Sequence, residues 1–168
     1  KKLKLISKSI FEEQKKFNIK LSGGDTVTSN KTSFSVAVLG FSKKIVKRNN
    51  SKANDDIYVT GNLGDSFVGL NILKKKISIN SKNNNYFVKK YYLPDLPTKI
   101  YKFLHKFANS SIDISDGLFA DLKKLINKQK FQFKINADLI PVSKNLNFYL
   151  KKNKKKSLHF ISKGDDYQ

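Results

Sequence analysis

The residues of this sequence best suited to chemistry are its aspartates. Glu12 and Glu13 are the only glutamates, so 11 of the 13 acidic residues are aspartate. Asp25 follows Gly23-Gly24, Asp65 follows Gly64, Asp113 and Asp116 precede Gly117, and Asp165-Asp166 follow Gly164. A carboxylate beside a glycine turn is what a magnesium–phosphate site needs. The ion takes hard oxygen ligands and bridges one or two carboxylates to phosphates. Glycine lets the backbone come close to the anion, and a helix N-terminus offers it unpaired N–H groups. In Asp113-Ile114-Ser115-Asp116-Gly117, residues 113 and 115 point one way along a strand and 116 falls in the turn, so two carboxylates and a hydroxyl converge at a helix start. Each motif alone also has a plain structural role. Asp116 suits the N-cap of the helix that follows, and the glycine–aspartate pairs suit ordinary turns.

Composition narrows the alternatives. Cysteine is absent, which excludes disulfides, thiol nucleophiles and thiolate metal sites. His105 and His159 are the only histidines and lie far apart, so a metal here is expected to be held by oxygen. The formal charge of +21 suggests nucleic acid, but Arg48 is the one arginine among 34 basic residues. Bidentate recognition of bases and phosphates leans on arginine, so the lysines read as a solvated surface and Arg48 as a phosphate contact. No apolar run approaches the roughly 20 residues that span a bilayer, and a cytoplasmic protein is expected. The chain opens at Lys1 rather than methionine and stops at Gln168, and we read it as a fragment.

The elements that must position these residues are legible as periodic patterns. Leu5, Ile6, Ile10 and Phe17 predict an amphipathic helix over residues 4–17, with Glu12 and Glu13 outward. Strands are expected at 19–21, 32–39, 57–60, 111–114, 131–135 and 158–161. Helices are expected from Asp65 to about Lys75, from the Pro94/Pro97 region to about Ala108, after Gly117 through Leu118, Leu122, Leu125 and Ile126, and over 143–151. Residues 76–90, rich in asparagine, read as irregular, and the polar stretch 47–55 reads as a linker. The mixture predicts an α/β to α+β fold.

The same motifs resemble bacterial thiamine-monophosphate kinase. The resemblance rests on Gly23-Gly24-Asp25-Thr26, Asp56-Ile57-Tyr58-Val59-Thr60-Gly61 with Leu63-Gly64-Asp65-Ser66, Ile112-Asp113-Ile114-Ser115-Asp116-Gly117-Leu118 with Ala120-Asp121-Leu122, and Gly164-Asp165-Asp166-Tyr167. It implies a two-domain aminoimidazole ribonucleotide synthetase-like fold with both domains incomplete: residues 1–50 from the N-terminal ATP-binding and dimerisation domain, and 51–168 from the C-terminal domain. It implies a cytoplasmic homodimer that transfers the ATP γ-phosphoryl group to thiamine monophosphate with Mg2+. Asp25, Asp113 and Asp116 then match metal ligands, Gly24, Asp25, Arg48 and Ser115 match ATP contacts, and Asp165 matches a substrate contact. Thr28 and Thr98 stand where the family usually has arginine, and Gln168 where it has glutamate. A further acidic motif of the family would lie before Lys1. A sister ATP-using enzyme of hydrogenase maturation or the purine pathway, a basic nucleic-acid-binding module and a degenerate inactive homologue are the competing readings. Interleaved Tyr86-Phe87, Lys89-Lys90 and Tyr91-Tyr92 favour the nucleic-acid module, which leaves the glycine–aspartate motifs without a purpose.

Overall fold

A computed structural model describes residues 2–42 and 44–168. Two compact units divide the chain, Lys1–Phe41 and Ser42–Gln168. The first contains α1 (Lys2–Phe17) followed by irregular chain. The expected helix is present, with Lys8–Glu12 and Lys16–Glu13 ion pairs on its surface, but none of its residues is buried.

The second unit holds α2 (Asp65–Leu73), α3 (Ser81–Tyr92), α4 (Leu118–Leu125), α5 (Lys144–Lys152) and the single turn α6 (Leu158–Ile161). Helix α2 carries Phe67, Val68, Leu70, Ile72 and Leu73 in nine residues, which suits a central helix. Val68 joins Phe87 of α3, Leu146, Tyr149 and Leu150 of α5, and Phe160 of α6 in one core cluster. A second cluster unites Leu63, Ile114, Leu118 and Leu122 with Ile161, and Val142 packs against both clusters. Burying a leucine or phenylalanine contributes about 1.5–3 kcal/mol, so these clusters hold the unit together. Local chemistry sets the helix starts. The Asn80 side chain accepts from Asn83 N–H at 3.1 Å, and Ser143 Oγ accepts from Leu146 N–H at 3.0 Å.

Several sequence expectations need correction. Of residues 76–90 only 76–80 are irregular: α3 begins at Ser81, because Asn80 caps it and Phe87 is driven completely into the core against α2. Residues 158–161 form a helical turn rather than a strand, which lets consecutive Phe160 and Ile161 both be buried, one in each cluster. The region after Pro97 forms turns and a short 3-10 helix, Leu104–Lys106, rather than a regular helix. The other expected strands form no ladder among the described residues. Alternation alone does not make a strand, since the backbone groups need a neighbouring edge. Phe34, Val36 and Val38 keep the alternating pattern but are 66%, 83% and 84% exposed. Val59, Phe133 and Ile135 do pack against the second core cluster, so those segments contribute side chains without pairing backbones.

Candidate functional site

The Asp113–Gly117 turn is built by the fourth residue of the helix that follows it. Asp121 of α4 is 1% exposed, and its Oδ2 accepts from the N–H groups of Ser115, Asp116 and Gly117 at 3.0, 2.8 and 3.1 Å. Its Oδ1 accepts from Lys124 Nζ at 2.7 Å. Burial works against ionisation of Asp121, but Lys124 and the N–H groups of Asp116 and Ser115 outweigh it and hold the carboxyl below its ordinary value. Lys124 also pairs with Asp116, and these two carboxylate partners push its ammonium pKa upward. Gly117, at φ 112°, completes the turn, and an added Cβ there would run into the Ser162 carbonyl.

Because Asp121 satisfies the N–H groups ahead of α4, Asp116 is not needed as the cap. Its carboxylate is instead exposed. Asp116 and Ser115 line a cleft of about 260 Å³ together with Lys163, Gly164 and Asp165, and Phe67, Leu70 and Tyr91 supply its apolar lining. The two polar segments are tied directly, since Tyr167 N–H donates to the Ile114 carbonyl at 2.8 Å. Three residues expected at a site, Ser115, Asp116 and Asp165, therefore meet around one space.

Asp113 does not line that cleft. Its Oδ1 stands 3.8 Å from Arg48 Nη2, and both side chains are half-exposed. The neighbouring Asn49 N–H donates to the Leu125 carbonyl at 2.7 Å and Asn50 N–H to Ser110 Oγ at 2.9 Å, which fixes the chain around Arg48 to the second unit. Gly24 and Asp25 belong to the first unit, where Asp25 is exposed and accepts from Thr26 N–H at 2.7 Å.

Two further carboxylates are buried beneath the site. Asp65 accepts from Ser143 Oγ at 2.7 Å and Tyr86 Oη at 2.8 Å, linking α2 to α5 and α3. Burial pushes its carboxyl upward against those two hydrogen bonds, and the Tyr86 hydroxyl is pushed up to about 12, first by burial and then by its bond to Asp65. Asp166 accepts from Gly64 N–H at 2.7 Å and from Ser66 N–H and Oγ at 3.2 and 2.8 Å. Burial raises its carboxyl too, opposed by the same donors. Sequence reasoning singled out Asp65 and Asp166 by their glycines but did not separate these buried anchors from exposed Asp116 and Asp165. Lys163 and Lys124 were missed, because lysine is too common in this chain to signal a site, and Tyr91 stood out only as part of a nucleic-acid patch.

A metal at these donors would have to complete its coordination from elsewhere. Among the described residues no group of three or more histidine, aspartate or glutamate side chains could hold a metal by itself. Asp113 and Asp116 are hard, exposed oxygen donors, which fits an ion that keeps waters and shares its coordination with nucleotide phosphates.

This helical unit, with a glycine-lined aspartate turn beside a polar cleft, has the fold of the aminoimidazole ribonucleotide synthetase-like class, as solved structures indicate. One, AaThiL complexed with AMPPCP and TMP, is 31% identical with a TM-score of 0.67 and aligns with 73% of this chain and 40% of its own. Thiamine monophosphate kinase from Aquifex aeolicus is 29% identical with a TM-score of 0.67 over 74% of this chain and 43% of its own. Thiamine-monophosphate kinase of Buchnera aphidicola from Acyrthosiphon pisum is 42% identical over 147 residues, 86% of this chain and 45% of that protein. No protein-family model matches the chain. By sequence the chain is similar to thiamine-monophosphate kinases over most of its own length, and it spans about half the length of the curated relatives it matches, 44% to 51%.

Proposed function

We propose that this chain is part of a thiamine-monophosphate kinase that transfers the ATP γ-phosphoryl group to thiamine monophosphate, giving thiamine diphosphate. The observation that carries the reading is the meeting of Ser115 and Asp116 with Asp165 around one cleft. Support comes from the relatives named above and from the structure of AaThiL complexed with AMPPCP and TMP.

Phosphoryl transfer asks a protein chiefly for alignment and for charge placed against phosphate oxygens. Asp113 and Asp116, with Asp25, would hold Mg2+, which when bound neutralises phosphate charge. Arg48, Gly24 and Ser115 bind the nucleotide in this reading. The Arg48 guanidinium grips phosphate oxygens, and Ser115 supplies a hydroxyl at a turn whose backbone Asp121 keeps in place. Asp165 orients the acceptor in the cleft. A phosphate monoester is already ionised near neutral pH, so no strong general base is required, in keeping with a sequence so poor in histidine.

The finer architecture belongs to the same proposal. The parent fold is α/β to α+β with two domains, residues 1–50 from the nucleotide-binding and dimerisation domain and 51–168 from the C-terminal domain. The working form is a cytoplasmic homodimer. No described helix is long and apolar enough to cross a membrane.

The test is magnesium-dependent conversion of thiamine monophosphate to thiamine diphosphate by the protein expressed from its whole gene, beside Asp113→Asn. Turnover that collapses in the variant supports both substrate and metal role. ATP binding without turnover moves the reading to a sister enzyme of the same fold.

A further inference from the structure

We propose that Asp166 is a positioning residue: its carboxylate, clamped on the N-terminus of α2, sets where the neighbouring Asp165 stands in the cleft it shares with Ser115 and Asp116. This rests on the kinase reading for its catalytic consequence, but the clamp itself is a matter of geometry.

The two adjacent aspartates have opposite surroundings. Asp165 is exposed and lines the cleft, whereas Asp166 is 5% exposed. Among the described residues no lysine or arginine pairs with Asp166, so its charge is met entirely by the Gly64 and Ser66 donors. Both oxygens are committed, Oδ2 to Gly64 and Oδ1 to Ser66, which is a demand that only a carboxylate of this length meets. An asparagine would aim an NH2 group at one set of N–H donors. A glutamate would carry its oxygens one methylene further.

Around this clamp the chain has little freedom. Gly164 packs so closely on α2 that an added Cβ would lie 2.9 Å from Ser66 Oγ. Tyr167 is held at φ 55°, a conformation that a non-glycine residue keeps only where its surroundings impose it. Its N–H reaches the Ile114 carbonyl, so the clamp also reaches the Asp113–Gly117 turn. Asp166 thus joins three parts of the site: the start of α2, the Asp165 segment and the Ser115 turn.

The experiment compares wild type, Asp166→Asn, Ser66→Ala and Asp165→Asn in the protein from the whole gene. Hydrogen exchange of residues 162–168 is read first. Asp166→Asn is expected to accelerate it by about tenfold or more while α5 stays protected, and Ser66→Ala, which removes one of the three donors, by a smaller factor. Kinetics are read second. Asp166→Asn is expected to raise KM for thiamine monophosphate by about tenfold with KM for ATP nearly unchanged, and the double variant with Asp165→Asn to be no worse than the worse single one. Unchanged exchange in Asp166→Asn overturns the proposal, as does an unchanged acceptor KM in an active enzyme. A wild type that does not phosphorylate thiamine monophosphate overturns the kinase reading instead, and exchange alone then decides the clamp. If Asp166→Asn fails to fold, Ser66→Ala decides it: faster exchange supports the clamp, and wild-type exchange overturns it.

Discussion

Arg48 Nη2 stands 3.8 Å from Asp113 Oδ1, which brings the one arginine of the chain against one of the aspartates assigned to magnesium. Both side chains are half-exposed, and such pairs contribute about 0–1 kcal/mol. Arg48→Ala is therefore expected to shift unfolding free energy by less than about 1 kcal/mol. ATP binding, followed by calorimetry, is expected to weaken by about tenfold or more, as for the loss of a charge-assisted hydrogen bond. A large stability loss with unchanged ATP affinity would make Arg48 a structural residue.

Asp121 gathers three backbone donors and Lys124 on one buried carboxylate. Removing its charge leaves donors without a full set of acceptors, a change that costs roughly 2–4 kcal/mol. Asp121→Asn is expected to lower urea stability by that order and to reduce turnover at temperatures where the variant is still folded. Full activity in the folded variant would mean that the Ser115–Gly117 turn holds its shape without this clamp.

Gly117 combines φ 112° with backbone of Ser162 where a side chain would go. The unfavourable φ alone costs on the order of 1–3 kcal/mol for other residues, and the clash adds to it. Gly117→Ala is expected to lower the midpoint of thermal unfolding sharply, whereas Ala120→Gly, inside α4, is expected to cost only about 1 kcal/mol.

Asp65 gives stability a pH dependence of definite sign. Its carboxyl lies above the ordinary value of 3.8 because of burial, opposed by Ser143 and Tyr86, with Asp166 raising it further and Lys90 lowering it. The folded state then holds the proton more tightly than the unfolded chain does. The stability it contributes is fully present below 3.8 and is lost as pH rises through the higher folded value. Urea unfolding of wild type beside Asp65→Asn is expected to show the wild-type advantage shrinking as pH rises over that range and then levelling. A difference that stays constant with pH would show that Asp65 does not titrate in that window.

The sequence by itself determined which residues are worth attention. Carboxylates are scarce enough here that their pairing with glycine at Gly24, Gly64, Gly117 and Gly164 stands out, and at the last three a positive φ and a close approach demand glycine. Helices α1, α4 and α5 were legible because a 3.6-residue period is written along a single segment, and α2 because a glycine turn opens an apolar run. Tertiary structure alone decided which carboxylates face solvent and which are buried. Asp165 and Asp166 are of the same type and adjacent in sequence, yet one lines the cleft and the other binds the start of α2 from 100 residues away. It also decided that Asn80 and Phe87 would make a helix of an asparagine-rich stretch, and that Phe160 and Ile161 would serve two cores from one turn. Burial and strand pairing depend on partners distant in the chain, and no local pattern of residues specifies who those partners are.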